Sequence, residues 1–204
     1  MPSSAHRRQH YGIHYLLAAD PTMRRLRRES TSQLHGNKNW GAAFLLMEYL
    51  RSHPLPRGSS VLDVGCGWGL ASLYCAKHFG AQVQASDADP AVFPFLLAQA
   101  EVNQLSIDCQ TWAFADIDHP QLANRQALIG SDICFWDDMA ADLYQLIARA
   151  VDAGCERIVI ADPGRPPFLA VAEACVSEFF GELSPITARS QRQHRGWILN
   201  IENR

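Results

Sequence analysis

The stretch Ser60–Pro90, "SVLDVGCGWGLASLYCAKHFGAQVQASDADP", constrains the fold more than any other part of the chain. An apolar strand, "VLDVG", runs into the closely spaced glycines Gly65, Gly67 and Gly69. A helix, "LASLYCAKHFG", follows and is closed by Gly80; a second strand, "QVQASD", ends in acid. A strand, a helix and a second strand in succession read as a βαβ unit, the connection that parallel strands require. Bare glycines let the backbone approach a ligand, and the helix N-terminus behind them favours negative charge.

The alternation continues. "PAVFPFLLAQAEVNQ" reads as a helix and "IDCQTWAF" as a strand. "QALIGSDICFW" is a strand, "DDMAADLYQLIARAVDAG" a helix closed by Gly154, "RIVIAD" a buried strand and "PFLAVAEACVSEFF" a helix. "SPITARS" and "GWILNIEN" make a final pair of strands. Apolar strands between helices predict a parallel sheet covered on both faces. The expected fold is α/β: a Rossmann-like, doubly wound, seven-stranded sheet with an antiparallel C-terminal edge hairpin. Ahead of it, residues 11–29 read as one or two short helices broken near Pro21, and "NWGAAFLLMEYLRSH" as a helix packed on the core. "PLPRGSS" is a linker, so residues 1–57 are expected as a helical extension and residues 58–204 as the ligand-binding domain.

Composition excludes several classes. At 204 residues, 48% hydrophobic and 19% charged, the chain has the make-up of one soluble domain with a short extension. No apolar run approaches the ~20 residues of a membrane span, and no signal-peptide core opens the chain. A cytoplasmic protein with no membrane partner is expected. Six scattered cysteines without a CxxC pair read as reduced, buried thiols. His6, His10 and His14 share helical spacing, but no cysteine or carboxylate cluster joins them, so no metal is expected. Residues 1–57 carry nine Lys/Arg and three acids; the rest carries nine and eighteen. The basic patch "MRRLRRES" reads as a solvated helix face, with a weaker leaning toward an acidic macromolecular partner.

The glycine turn discriminates between cofactors. The dinucleotide fingerprint is GxGxxG, whereas the spacing here is GxGxG, with Leu70 in the place of the last fingerprint glycine. Asp63 stands inside the first strand, where a carboxylate suits a cationic ligand better than a pyrophosphate. Asp87 ends the second strand at the distance expected of a residue that takes a ribose diol.

"VLDVGCGWG" resembles motif I of the class I S-adenosylmethionine-dependent methyltransferases. The resemblance implies S-adenosylmethionine as cofactor. Asp63 and the turn Gly65, Cys66, Gly67, Trp68 and Gly69 would hold its methionine part. Asp87 would accept the ribose hydroxyls, Ala88 would lie against the adenine, and Trp112 along the adenine ring. Three further segments resemble the lysine methyltransferases of the seven-β-strand class. "NKNWGAAFLLMEYL" places Trp40 at that branch's tryptophan, which the resemblance counts among the cofactor-binding residues. "IGSDICFW" resembles its G-A-D-x-x-Y segment, with Phe135 at the tyrosine position and Asp132 facing the transferred methyl. "IADPGRPPF" resembles "GDPGRPxF" of the branch that modifies the electron-transfer flavoprotein β-subunit. The resemblance spans roughly residues 36–170.

A lysine acceptor must lose its proton before it can accept a methyl group. Asp132 would orient the amine, and Phe135, Trp136 and Trp40 would form an apolar slot for the lysine stem. The expected activity is therefore N-methylation of a protein lysine. A small-molecule N-methyltransferase acting on an amine or pyridine is the alternative. Leu70 and Asp63 argue against a nicotinamide-cofactor oxidoreductase, and a non-catalytic cofactor-binding module is the reading that Phe135 leaves open. "SDIC", standing where a nucleic-acid methyltransferase would carry an "NPPY"-type motif, and the acidic core argue against a nucleic-acid substrate.

Overall fold

The computed structural model describes residues 6–29, 38–190 and 192–203. Ser30, at the end of the basic stretch, and Asn37, at the start of the tryptophan segment, lie outside the described residues.

The chain opens on a feature that the sequence reading did not anticipate. Strands β1 (Arg7–His10) and β2 (Ile13–Leu16) form an antiparallel hairpin in the place of the helix expected from residue 11. Its turn is Tyr11–Gly12, with φ of 45° and 76°. Positive φ at both central residues is the geometry that matches the twist of paired strands. Ile13 and Tyr15 point inward at a period of two, and His10 pairs with Ile13 and His14 with Gln9. The histidines at helical spacing are therefore not on one helix face. The edge of β2 is satisfied by two amide side chains. Leu16 N–H donates to Gln99 Oε1 at 2.7 Å and His14 N–H to Asn103 Oδ1 at 2.9 Å, while both amides donate back to carbonyls of the same strand. Helix α1 (Pro21–Glu29) begins at Pro21 rather than breaking there, because proline's fixed φ and missing N–H suit a first helical turn.

Helix α2 (Gly41–Ser52) precedes the main sheet, whose elements follow in order: β3 (Ser60–Val64), α3 (Leu70–Phe79), β4 (Gln82–Asp87), α4 (Phe93–Asn103), β5 (Asp108–Thr111), α5 (His119–Leu122), β6 (Ala127–Ser131), α6 (Asp137–Asp152), β7 (Arg157–Asp162), α7 (Pro166–Phe179), β8 (Glu182–Arg189) and β9 (Gln193–Glu202). The strand order is β5-β4-β3-β6-β7-β9-β8. The first five strands in that order are parallel, and β9 runs antiparallel to both β7 and β8. The expected seven-stranded sheet and its C-terminal hairpin are thus present.

Period-two alternation divides each central strand between two apolar layers. Val61, Ile129 and Val159 join α2, α3 and α4 in one layer; Leu62, Leu128, Ile158 and Ile160 join α6 and α7 in the other. A third cluster, of Leu16, Met23, Trp68 and Phe95, ties the hairpin and α1 to the glycine turn.

Two strands end earlier than their apolar runs predict. β6 stops at Ser131 because Asp132 takes φ of 61°, a left-handed conformation that cannot continue a strand. β5 stops at Thr111, and the chain turns through a 3₁₀ segment at Phe114–Asp116. Both departures carry side chains off the sheet and into the region above it.

Candidate active site

Strand order reverses between β3 and β6, and ligands of open α/β sheets bind outside the carboxyl ends of the strands at such a point. A cavity of about 430 Å³ opens there. Its wall comprises the turn after β3, the end of β4, the segments after β5 and β6, the start of α6 and residues 38–40 before α2. Of the residues predicted from sequence, Trp40, Gly65, Cys66, Gly67, Trp68, Gly69, Asp87, Ala88, Trp112, Asp132, Phe135 and Trp136 all line this cavity. Asp63 does not.

Asp63 lies behind the turn, 2% exposed, and accepts a hydrogen bond from Ser72 Oγ at 2.5 Å. Burial pushes its carboxyl up to about 7, against the opposing effect of the Ser72 hydrogen bond. The acid of the motif therefore braces the turn against α3 from beneath.

The turn itself is set by its glycines. At Gly69, φ is 77° and a Cβ would come within 2.5 Å of Leu96, so the close approach to α4 requires glycine. At Gly67, φ is 52° and a Cβ would meet nothing within 4 Å, so only the backbone conformation demands glycine there. Gly67 N–H donates to Asp87 Oδ2 at 3.1 Å, and Asp89 N–H to Asp87 Oδ1 at 3.0 Å. These bonds fix the Asp87 carboxylate at the cavity wall and leave lone pairs for hydroxyl donors. Burial pushes its pKa up, and the backbone donors hold it down. The Trp68 ring stacks on Phe95 at 5.0 Å, so its size serves packing of the turn. Trp112 is tied to β4 by its N–H, which donates to Asp87 O at 3.1 Å.

The opposite wall carries a cluster of charged and aromatic groups. Asp132 is 5% exposed, and its N–H donates to Ala161 O at 2.9 Å. Its carboxylate is ion-paired with Arg165, a residue of the "DPGRPPF" segment that the sequence reading quoted without assigning a role. The same Arg165 Nη1 is 2.8 Å from Asp162 Oδ2. Asp162 Oδ1 in turn accepts from Gly164 N–H and Arg165 N–H, both at 2.8 Å. The turn before α7 is thus a clamp: Asp162 folds the backbone, and the backbone aims the guanidinium at Asp132. Burial pushes the Asp132 carboxyl up, and the Arg165 guanidinium pulls it back down. Arg165 Cζ lies 4.4 Å from the centroid of Phe135. Phe135 meets Trp40 edge to face at 5.4 Å, and Lys38 Nζ is 3.9 Å from the Trp40 centroid.

Trp136, 60% exposed, stands at the mouth beside the first turns of α6, which place Asp138, Met139 and Asp142 on the cavity wall. Lys38, Phe114, Asp138, Met139 and Asp142 were not singled out from sequence. The acids at the start of α6 were legible as a helix N-terminus, but their place at a cavity mouth depends on where β6 ends. No group of three or more histidine, cysteine or acidic side chains suited to a metal exists among the described residues.

A doubly wound sheet with a GxGxG turn after its first strand, an acid ending the next, and an aromatic-walled cavity at the switch point defines the class I S-adenosylmethionine-dependent methyltransferase fold, and this chain has it. The cofactor fits the residues present: a nucleoside-sized cavity, backbone exposed at Gly67, a carboxylate held for hydroxyls, and no pyrophosphate-type third glycine. A family model described as "Methyltransferase domain" matches residues 61–154. The chain is 29% identical over 133 residues to the electron transfer flavoprotein beta subunit lysine methyltransferase of Homo sapiens, covering 63% of this chain and 49% of that protein. To the enzyme of that name from Danio rerio it is 31% identical over 133 residues, covering 63% and 50%. The chain spans about half the length of these relatives. Among solved structures, a Pyrococcus furiosus methyltransferase superposes with a TM-score of 0.61 at 13% identity, over 84% of this chain and 89% of that one. Precorrin-6y C5,15-methyltransferase of Geobacter metallireducens superposes with 0.63 at 12%, over 87% and 95%. These two superpositions establish likeness of fold.

Proposed function

We propose that this chain transfers the methyl group of S-adenosylmethionine to the amino nitrogen of a lysine side chain in a protein. The observation that carries the reading is the Asp132–Arg165–Asp162 clamp set against the Phe135–Trp40 wall. Its likeness to lysine methyltransferases that act on a flavoprotein subunit supports the choice of acceptor.

The cofactor supplies an activated methyl group on a sulfonium. The chain's own residues do the rest. Asp87 takes the ribose hydroxyls, Ala88 and Trp112 flank the adenine, and the Gly65–Gly69 turn receives the methionine part. Trp40, Phe135 and Trp136 flank the acceptor's four-carbon stem and exclude water from it. Asp132 accepts an N–H of the acceptor and points the nitrogen lone pair at the methyl. Alignment in a dry site supplies most of the acceleration.

The clamp also resolves a conflict. A lone buried carboxylate beside an amine favours ammonium, which cannot react. Arg165 offsets part of the negative charge of Asp132 and Asp162, so the pull of Asp132 toward an ammonium is weakened. A neutral amine completes the site without adding charge. Asp138 and Asp142 at the mouth attract the protonated acceptor before it sheds its proton.

The deciding experiment incubates the purified chain and methyl-labelled S-adenosylmethionine with an extract of cells that lack the gene. Label on lysine in a protein band is the expected result. Label confined to the small-molecule fraction would replace this reading with a small-amine acceptor.

A further inference from the structure

The chain contains sixteen arginines and only two lysines, Lys38 and Lys77. Lys77 is on α3, with Nζ donating to Gly12 O at 2.9 Å. Lys38 is on the wall of the active-site cavity, together with Asp132, Trp40 and Phe135. Its ammonium lies over the Trp40 ring, on the aromatic wall that would flank an acceptor lysine. Its charge also bears on Asp132. Lys38 is exposed, so its stem can leave Trp40 and swing inward without disturbing packing. An ammonium–ring contact at an exposed position is weak, so thermal motion breaks it readily. An amine already tethered at the mouth needs no association step, which is the advantage of an intramolecular reaction.

We propose that Lys38 is itself a methyl acceptor, so that the enzyme methylates its own cavity wall in cis. The inference rests on the lysine reading above. In the step, the Lys38 ammonium first gives a proton to water. The nitrogen lone pair then forms a bond to the methyl carbon. The carbon–sulfur bond breaks with its electron pair left on sulfur, releasing S-adenosylhomocysteine and leaving a methylammonium on Lys38.

The scarcity of lysine makes the test clean. Purified chain is incubated with S-adenosylmethionine bearing a deuterated methyl, digested, and read by mass spectrometry. Expected are heavy methyl on Lys38, none on Lys77, a fraction modified per unit time that does not change with protein concentration, and no heavy methyl on a Lys38→Arg variant. Rates that rise with protein concentration, or label on Lys77 instead, overturn the proposal. A lysine-containing peptide in the same tube separates two failures. Methylated peptide with unmodified Lys38 overturns self-methylation and leaves the lysine reading standing. No label on peptide or chain, with cofactor binding intact by calorimetry, overturns self-methylation, and the extract experiment then decides the lysine reading. A second measurement needs no turnover. In protein labelled with carbon-13 at the lysine ε-carbon, two ε-methylene signals are expected. The one lost in Lys38→Arg should be shifted upfield by the Trp40 ring, and a normal position for it overturns the placement.

Discussion

At the scale of single residues, the site depends on a carboxylate that burial opposes and a guanidinium that restores it. Asp132→Ala should lower turnover by on the order of 10²-fold or more, because alignment of the nitrogen is lost, while cofactor affinity by calorimetry stays near wild type. Arg165→Gln tests the other half of the pair. Arg165 lowers the Asp132 pKa, so its removal raises that pKa. A carboxylate that works in its ionised form loses function as pH falls through its pKa. The acid limb of the kcat–pH profile should therefore move to higher pH in Arg165→Gln. Arg165→Lys should restore the charge but not the simultaneous reach to Asp132 and Asp162, since an ammonium lacks the planar fork. An unmoved acid limb in Arg165→Gln would show that the pair is structural only.

At the scale of elements, the N-terminal hairpin shows why its assignment escaped a reading of periodicity. Strands of four residues carry too few side chains to distinguish a period of two from one of 3.6, and a Tyr–Gly turn is a weak hairpin signal beside Asn–Gly or Asp–Gly. The hairpin is held by partners far away in sequence, Gln99 and Asn103 on α4, which take the place of a third strand. Gln99→Met preserves volume but leaves Leu16 N–H buried without its acceptor. A loss of about 1–3 kcal/mol is expected, read as a lower urea midpoint with unchanged slope. Because the same cluster packs against Trp68, weaker cofactor binding should accompany it.

At the scale of the whole molecule, Asp63 links stability to pH. Its pKa is raised from 3.8 to about 7 by burial, so the folded protein binds a proton that the unfolded chain has released. Stability from this group is fully present below 3.8 and is lost as pH rises toward about 7. Asp63→Asn retains a hydrogen-bonding partner for Ser72 without the charge. The stability difference should therefore move in favour of the variant between those limits and level off above them, as measured by urea unfolding across pH. A difference that is flat in pH would mean that Asp63 titrates normally.

Much of this architecture was legible in the chain. Continuous apolar runs fix buried strands because only a sheet covered on both faces accommodates them, and glycines at Gly65, Gly67 and Gly69 fix the turn because other residues resist its φ values. The predicted residues that line the cavity, from Trp40 to Trp136, were reached through the resemblance of short motifs and not from periodicity. Three features had to wait for the tertiary fold. Asp63 turned out to brace the turn rather than line the cavity, because its partner Ser72 is supplied by the face that α3 presents. Arg165 acquired its role only when the left-handed bend at Asp132 and the turn after β7 met across adjacent strands. Lys38 became a candidate acceptor only when the segment before α2 closed over the end of β6. Side-chain type and spacing determine what a segment forms; which charges face one another depends on where strands end, and that is settled by packing.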